Sequence, residues 1–499
     1  MFSFLSVEFA LLFIIFLLLY WSMRGQPKWQ NICLTVFSYV VIYLMAGMMA
    51  VGVLLACSVF VYLISVAMDL FNRYKKALLI GGIVVILLQL SLFKYYDFFR
   101  ESIKSALDLL HLDSSQLMAN ILFPLGVSYY SFQAISYLVS RYHDELQVPK
   151  FSFAQLVTHF SFFATISAGP IARAKSANGL TDLQGNPVGM SEQIRQQTPR
   201  KILFPTLALA LILLSLIKKW WLAGWLADNW VNPIFANPMQ FHSLEIVVAI
   251  YAYTLQLFLD FSGYSEMMLA FGLLLGFRLP VNFKAPLLAH NIRTFWDRWH
   301  ISLSTWIRDY IYIPLGGSRD GFGRTQFNLL VAMGLSGIWH GSSVNFLLWG
   351  LLHGVAIIWL NCTDKICQNH YQLSVKDARN LLYKHSIFGK VLGIFITITF
   401  VSICFVFFRA TTWNDAMQIF TALFGNYQNV GWQGNPLYML TVFLLAWLIY
   451  GQVYYRLPYW VEKVARLPRM LHLGLLFVGF VVVLIFAPSG IPGFIYANF

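Results

Sequence analysis

Apolar residues fall in long runs separated by short polar connections, and this pattern predicts helices that cross a membrane. Runs lie at about 4–22, 31–47, 50–70, 77–94, 119–140, 152–171 and 202–218. Others follow at about 244–277, 326–340, 344–361, 388–408, 437–455 and 470–488. Most are close to the ~20 residues that span a bilayer. The run at 244–277 exceeds one membrane thickness and contains Asp260 and Gly263, so it predicts two helices or one broken helix. The stretch at 286–315 is mixed and aromatic. The expected fold class is all-α: a polytopic integral membrane protein of about eleven transmembrane helices, with short re-entrant or interfacial helices around 290–315. One membrane-embedded domain over 1–499 is expected, since no internal repeat or low-complexity tract divides the chain.

Composition agrees with that pattern. The 499 residues are 59% apolar and 11% charged, whereas soluble domains run near 45–50% apolar and ~25% charged. Disordered, coiled-coil and ordinary cytosolic classes are excluded. The net charge of +13 is carried by residues between apolar runs, such as Arg24, Lys28, Arg73, Lys75 and Lys76. That distribution marks cytoplasmic loops, not a nucleic-acid surface. Residues 95–118 sit more comfortably outside, and the polar insertion at 172–200 reads as a cytoplasmic loop. Met1–Trp21 lacks a basic start and a small-residue cleavage site, so it reads as a retained first span with its N-terminus outside. The five cysteines form no framework, and no cysteine or histidine cluster has zinc spacing.

Polar residues at membrane depth are costly, which makes their clusters the place to look for chemistry. In Asn291–Leu315 a helical reading puts Arg293, Asp297, His300, Ser304 and Arg308 on one face, beside Trp296, Trp299, Leu303 and Trp306. That face suits either a cavity lining or an amphipathic interface helix. His340 lies in GLSGIWHG, within an apolar run that continues to His353. A neutral imidazole there can act as a base or simply hydrogen-bond a neighbouring helix. Asp260, Ser262 and Glu266 lie in DFSGYSE, which suits a kink or a substrate cavity. Arg293, Arg298 and Arg308 belong to a basic run that signals topology or a phosphate-bearing donor. Phosphate-loop, zinc-protease and serine-hydrolase motifs are absent.

Several of these segments together resemble the membrane-bound O-acyltransferase family, in the bacterial branch that acylates cell-envelope polysaccharides. They are FWDRWHISLSTWIRDYIYIPLGG (295–317), SGIWHG (336–341), DFSGYSE (260–266), FPLGVSYYSFQAISYL (123–138), SAGPIAR (167–173) and FFRA (407–410). The resemblance is strongest over 90–410, and the tail at 489–499 is similar to the branch's C-terminal signature. Asp297 and Glu266 stand where a basic residue and an aspartate are expected.

The resemblance implies helices around a central funnel and an acyl group moved from a cytoplasmic donor to hydroxyls outside. It maps the catalytic histidines onto His340 and His300; beside them Asp297 or Ser304 is expected to orient His300, and Asp260, Ser262 and Glu266 are expected as cavity support. It implies no bound cofactor, acetyl-CoA as co-substrate with Arg293, Arg298 and Arg308 as donor contacts, and an alginate- or peptidoglycan-like acceptor. It further implies a bacterial inner-membrane location and a periplasmic SGNH-type acetyltransferase partner. The runner-up activities are D-alanyl transfer to teichoic acid and, in a different class, a transporter or channel. Tyr496, the one hydroxyl nucleophile within Phe494–Phe499, is expected to serve either as an acyl relay or as an interfacial anchor.

Overall fold

The structure, a computed structural model, describes residues 2–109, 124–143, 148–372, 374, 386–428 and 431–488. The start of the predicted run at 119–140, the tail at 489–499 and Tyr496 lie outside them. Apart from one isolated bridge between Thr181 and Pro187, the regular structure described is helical. Seven of these helices are long and apolar enough to cross a membrane, and shorter apolar helices accompany them. Chain contacts divide the protein into two compact units. Among the described residues, one comprises those up to Ala208 with Tyr264–Val281, and the other comprises Leu209–Gly263 with those from Asn282 to Pro488.

The first unit opens with α1 (Val7–Ser22), whose N-cap Ser6 accepts from the Phe9 amide. Next, α2 (Pro27–Leu70) is broken by Gly47 at φ 77°, so two of the predicted spans occupy one element. Then come α3 (Lys75–Leu109) and α4 (Val127–Tyr142). The run predicted over 152–171 is not one spanning helix. It forms α5 (Phe153–Ser161) and α6 (Phe163–Ile166), interrupted at Phe162. The reason is tertiary: the Phe163 amide donates to Ser38 Oγ on α2, at 3.2 Å, in place of a helical partner. The segment at 172–200 carries α7 (Met190–Arg195), and Asp182 Oδ1 accepts from the Gln184 amide at 2.9 Å and the Asn186 amide at 2.8 Å. Arg200 is buried and donates to Asn31 Oδ1 at 2.9 Å and to the Gln193 carbonyl at 2.8 Å. An aromatic core runs through the unit, with Phe16 stacked on Phe37 at 3.9 Å and Phe13 against Phe271 at 4.6 Å. Lipid tails are as apolar as these rings, so close packing and not water exclusion holds them together.

The chain continues with α8 (Pro205–Ala236), which contains π-helical turns at Ile217–Ala223 and Ala227–Val231. The run at 244–277 forms a single continuous helix, α9 (Ser243–Leu274), and neither two helices nor a broken one. The second unit then adds α10 (Ile292–Trp296), α11 (Ile301–Ile307), α12 (Phe322–His340) and α13 (Val344–Tyr371). It ends with α14 (Ile387–Arg409), α15 (Trp413–Gly425), α16 (Pro436–Ala465) and α17 (Arg469–Phe486). Two glycines let α12 and α13 pack backbone to backbone. A Cβ on Gly350 would stand 2.3 Å from the Met333 carbonyl, and one on Gly337 would stand 2.3 Å from the Phe346 carbonyl. Small residues at a membrane helix interface permit that approach.

Candidate active site

The single helical face expected over 291–308 does not form. Its first part, α10, ends at Asp297, and His300 sits in left-handed backbone at φ 45° before α11 begins. A strap formed by Asn282–Lys284 causes the break. The Lys284 amide donates to the Arg298 carbonyl at 3.0 Å, and the Ile301 amide donates to the Asn282 carbonyl at 3.0 Å. The Ser302 amide donates to Asn282 Oδ1 at 3.3 Å. Backbone groups that a continuous helix would pair internally are thus diverted to another segment. Past α11 a π-helical turn covers Arg308–Tyr312, and Gly316 and Gly317 at positive φ end the stretch.

This break turns His300 inward. The residue is 1% exposed, and its ring meets Phe261 of α9 edge-on at 4.7 Å. Phe283 packs on both Phe261 at 5.0 Å and Trp299 at 5.1 Å, which closes the wall.

His340 ends α12 and is 2% exposed. Its ring contacts Trp339 at 4.7 Å, Trp349 of α13 at 5.0 Å and Phe408 of α14 at 5.0 Å. Trp339 is also 6.3 Å from the His300 ring, so one indole neighbours both histidines. Asn345 Nδ2 donates to the Ala410 carbonyl at 3.0 Å, tying the start of α13 to the FFRA segment. In that segment Arg409 donates to Asn232 Oδ1 at 3.2 Å. His353 lies on α13, with its ring 5.1 Å from Trp349 and 5.2 Å from Trp296.

The remaining expected residues divide. Asp260 is buried and pairs with Lys219 in the π-helical turn of α8. Gly263 makes this possible, because a Cβ there would lie 3.2 Å from Lys218 Cβ and 3.3 Å from Lys219 Cβ. Ser262 is buried in the same helix. Glu266 is half-buried and belongs to the first unit. There Tyr264 and Ser167 share a hydroxyl–hydroxyl hydrogen bond that joins DFSGYSE to SAGPIAR. Ser304 Oγ donates to the Trp299 carbonyl at 3.2 Å, so its hydroxyl buttresses the turn carrying His300. Asp297 is exposed at the end of α10. Arg293 pairs with Asp364 of α13, Arg308 donates to Asp309 at 2.7 Å, and Arg298 reaches the Ala285 carbonyl at 3.4 Å. Nearby His290 is held below the usual imidazole pKa by burial, with Arg298 and Lys390 adding to the effect.

Sequence reasoning missed Lys219, Asn282, Phe261, Trp349 and Phe408. Lys219 carried a signal, since Lys218 and Lys219 are the only charges in an apolar run and Asp260 in another such run needs a counter-ion. The others carried none, being an ordinary loop asparagine and aromatics among many. Chemically, two buried imidazoles with apolar, aromatic walls suit proton transfer at a hydroxyl in a water-poor setting.

Comparison with known proteins places the chain in a family. Residues 129–375 match MBOAT, the membrane-bound O-acyltransferase family, and this stretch contains both histidines. The chain is 32% identical over 427 residues to the probable alginate O-acetylase AlgI of Pseudomonas putida, covering 84% of this chain and 80% of that protein. It is 33% identical over 363 residues to the probable alginate O-acetylase AlgI of Pseudomonas syringae pv. tomato, covering 72% of this chain. That match spans 65%, just under two thirds, of the relative's own length. It is 31% identical over 389 residues to the peptidoglycan O-acetyltransferase of Helicobacter pylori, covering 71% and 66%. The chain belongs to the membrane-bound O-acyltransferase family and is a multi-pass membrane O-acyltransferase.

Proposed function

We propose that this protein transfers an acetyl group from acetyl-CoA, presented on the cytoplasmic side of the bacterial inner membrane, towards hydroxyls of a cell-envelope polysaccharide. The observation that carries the reading is the pair of buried histidines, His300 and His340, both neighbouring the Trp339 ring in a chain similar to alginate and peptidoglycan O-acetylating proteins. His340 removes the proton from the accepting hydroxyl as its oxygen attacks the thioester carbonyl carbon. Collapse of the tetrahedral intermediate expels the thiolate, which takes the proton back from the imidazolium. A thioester is already activated, so proton transfer and positioning supply the needed catalysis.

His300 assists His340 or holds the donor beside it. Asp260 and Ser262 support the wall beside His300, and Arg293, Arg298 and Arg308 attract the donor's phosphates. Where the acetyl group must reach polymer outside, Tyr496 serves as a covalent relay, and a periplasmic SGNH-type acetyltransferase completes delivery.

The test is purified protein in nanodiscs with acetyl-CoA labelled in the acetyl group, supplied with alginate or peptidoglycan fragments. Label transfer in the wild type and its loss in His340→Ala support the reading. Transfer only from a D-alanyl carrier thioester moves the activity to D-alanylation. Counterflow of a solute without acyl turnover overturns it.

A further inference from the structure

We infer that Asn282 is a positioning residue for acyl transfer, because its side chain locks the left-handed turn that presents His300. This rests on the reading above, in which His300 takes part in the reaction.

The argument starts from the backbone. A residue with a Cβ seldom adopts positive φ, and one that does must be held there by its surroundings. His300 sits at φ 45°, ψ 51°, immediately before α11. Asn282 is 1% exposed and grips the first turn of α11 at three points. Its carbonyl accepts from the Ile301 amide at 3.0 Å. Its Oδ1 accepts both the Ser302 amide at 3.3 Å and the Ser302 hydroxyl at 2.6 Å. The helix-capping role usually filled by the N-cap side chain is therefore taken by an asparagine eighteen residues earlier in the chain. His300 makes no such capping bond, which leaves its imidazole directed to the Phe261 wall and Trp339. Asn282 Nδ2 makes no hydrogen bond among the described residues, so the amide serves here as an acceptor.

Without Oδ1 the first turn of α11 loses two of its three ties to the strap, and the turn at His300 can relax towards ordinary helix. That would rotate the imidazole away from Trp339 and His340. A shift of about 1 Å in a reacting group can cost on the order of 100-fold in rate.

The experiment compares wild type, Asn282→Leu, Asn282→Asp, Ser302→Ala and His300→Ala by acetyl-CoA turnover in nanodiscs. Asn282→Leu is expected to lower kcat roughly 10- to 100-fold with the KM for acetyl-CoA little changed. Asn282→Asp keeps the acceptor oxygens and is expected to restore most of the rate. Ser302→Ala, which removes one of the two side-chain bonds, should fall between. In a double-mutant cycle, Asn282→Leu should add almost nothing to His300→Ala. If His300→Ala is impaired but Asn282→Leu turns over like wild type, the positioning role is overturned and the site reading stands. If Asn282→Leu and His300→Ala multiply, Asn282 acts elsewhere and the inference fails. Wild-type turnover in His300→Ala overturns both the part given to His300 and this inference. Should Asn282→Leu fail to fold, Ser302→Ala, Asn282→Asp and their combinations with His300→Ala decide the same question.

Discussion

Lys219 and Asp260 form an ion pair inside the second unit, with side-chain exposures of 4% and 3%. A widened π-helical turn delivers the ammonium and Gly263 clears the space beside it. Asp260 therefore supports the wall through Phe261, its neighbour in sequence, which abuts His300.

Removing one partner of a buried pair leaves a charge without compensation and costs about 3–5 kcal/mol, whereas an apolar replacement of both is often tolerated. Lys219→Met and Asp260→Leu are each expected to lower thermal stability in detergent by that order. The double variant should recover most of it. Single variants no less stable than the double would show that the two charges are not coupled.

His340→Ala should reduce acyl transfer by about 100- to 10,000-fold, the usual worth of a general base, with membrane insertion and detergent elution unchanged. Turnover assays on equal amounts of folded protein check this. Near-normal turnover would remove His340 from its assigned role.

The close approach of α12 and α13 predicts intolerance at Gly350, where a Cβ would lie 2.3 Å from the Met333 carbonyl. Gly350→Ala should destabilise by about 1–3 kcal/mol through overpacking, and activity should fall as His340 and Trp349 separate. Unchanged melting and turnover would contradict the packing described.

Tyr496→Phe keeps the aromatic ring and removes the nucleophile. Loss of polymer acetylation, with an acetylated Tyr496 peptide found by mass spectrometry in the wild type, is the outcome expected of a relay. A normal acetylation rate in the variant would leave Tyr496 as an anchor.

His290 has its imidazole pKa depressed in the folded protein by burial and by Arg298 and Lys390. The folded state therefore binds this proton less readily than the unfolded chain. Its share of stability is full above the ordinary imidazole value of about 6.5 and is lost as pH falls through the lowered one. His290→Gln should flatten the acid side of the stability profile, measured as melting temperature against pH. An unaltered profile would show that His290 does not titrate with folding.

Periodicity and composition alone established an all-helical, multi-pass protein, because twenty apolar residues in a row have few other stable arrangements in a bilayer. The motifs around His300 and His340 were equally legible, since polar groups stand out where nearly everything else is apolar. Local sequence could not show that 291–308 breaks at His300 or that 152–171 divides at Phe162. Each break occurs where backbone amides find partners on a distant segment, Asn282 in one case and Ser38 in the other. Nor could it pair Lys219 with Asp260 or set Trp339 beside both histidines. Helix formation depends on neighbours three and four residues away, and the sequence displays those directly. The geometry of the candidate site depends on which helices pack against one another, and that is decided by contacts between residues far apart in the chain.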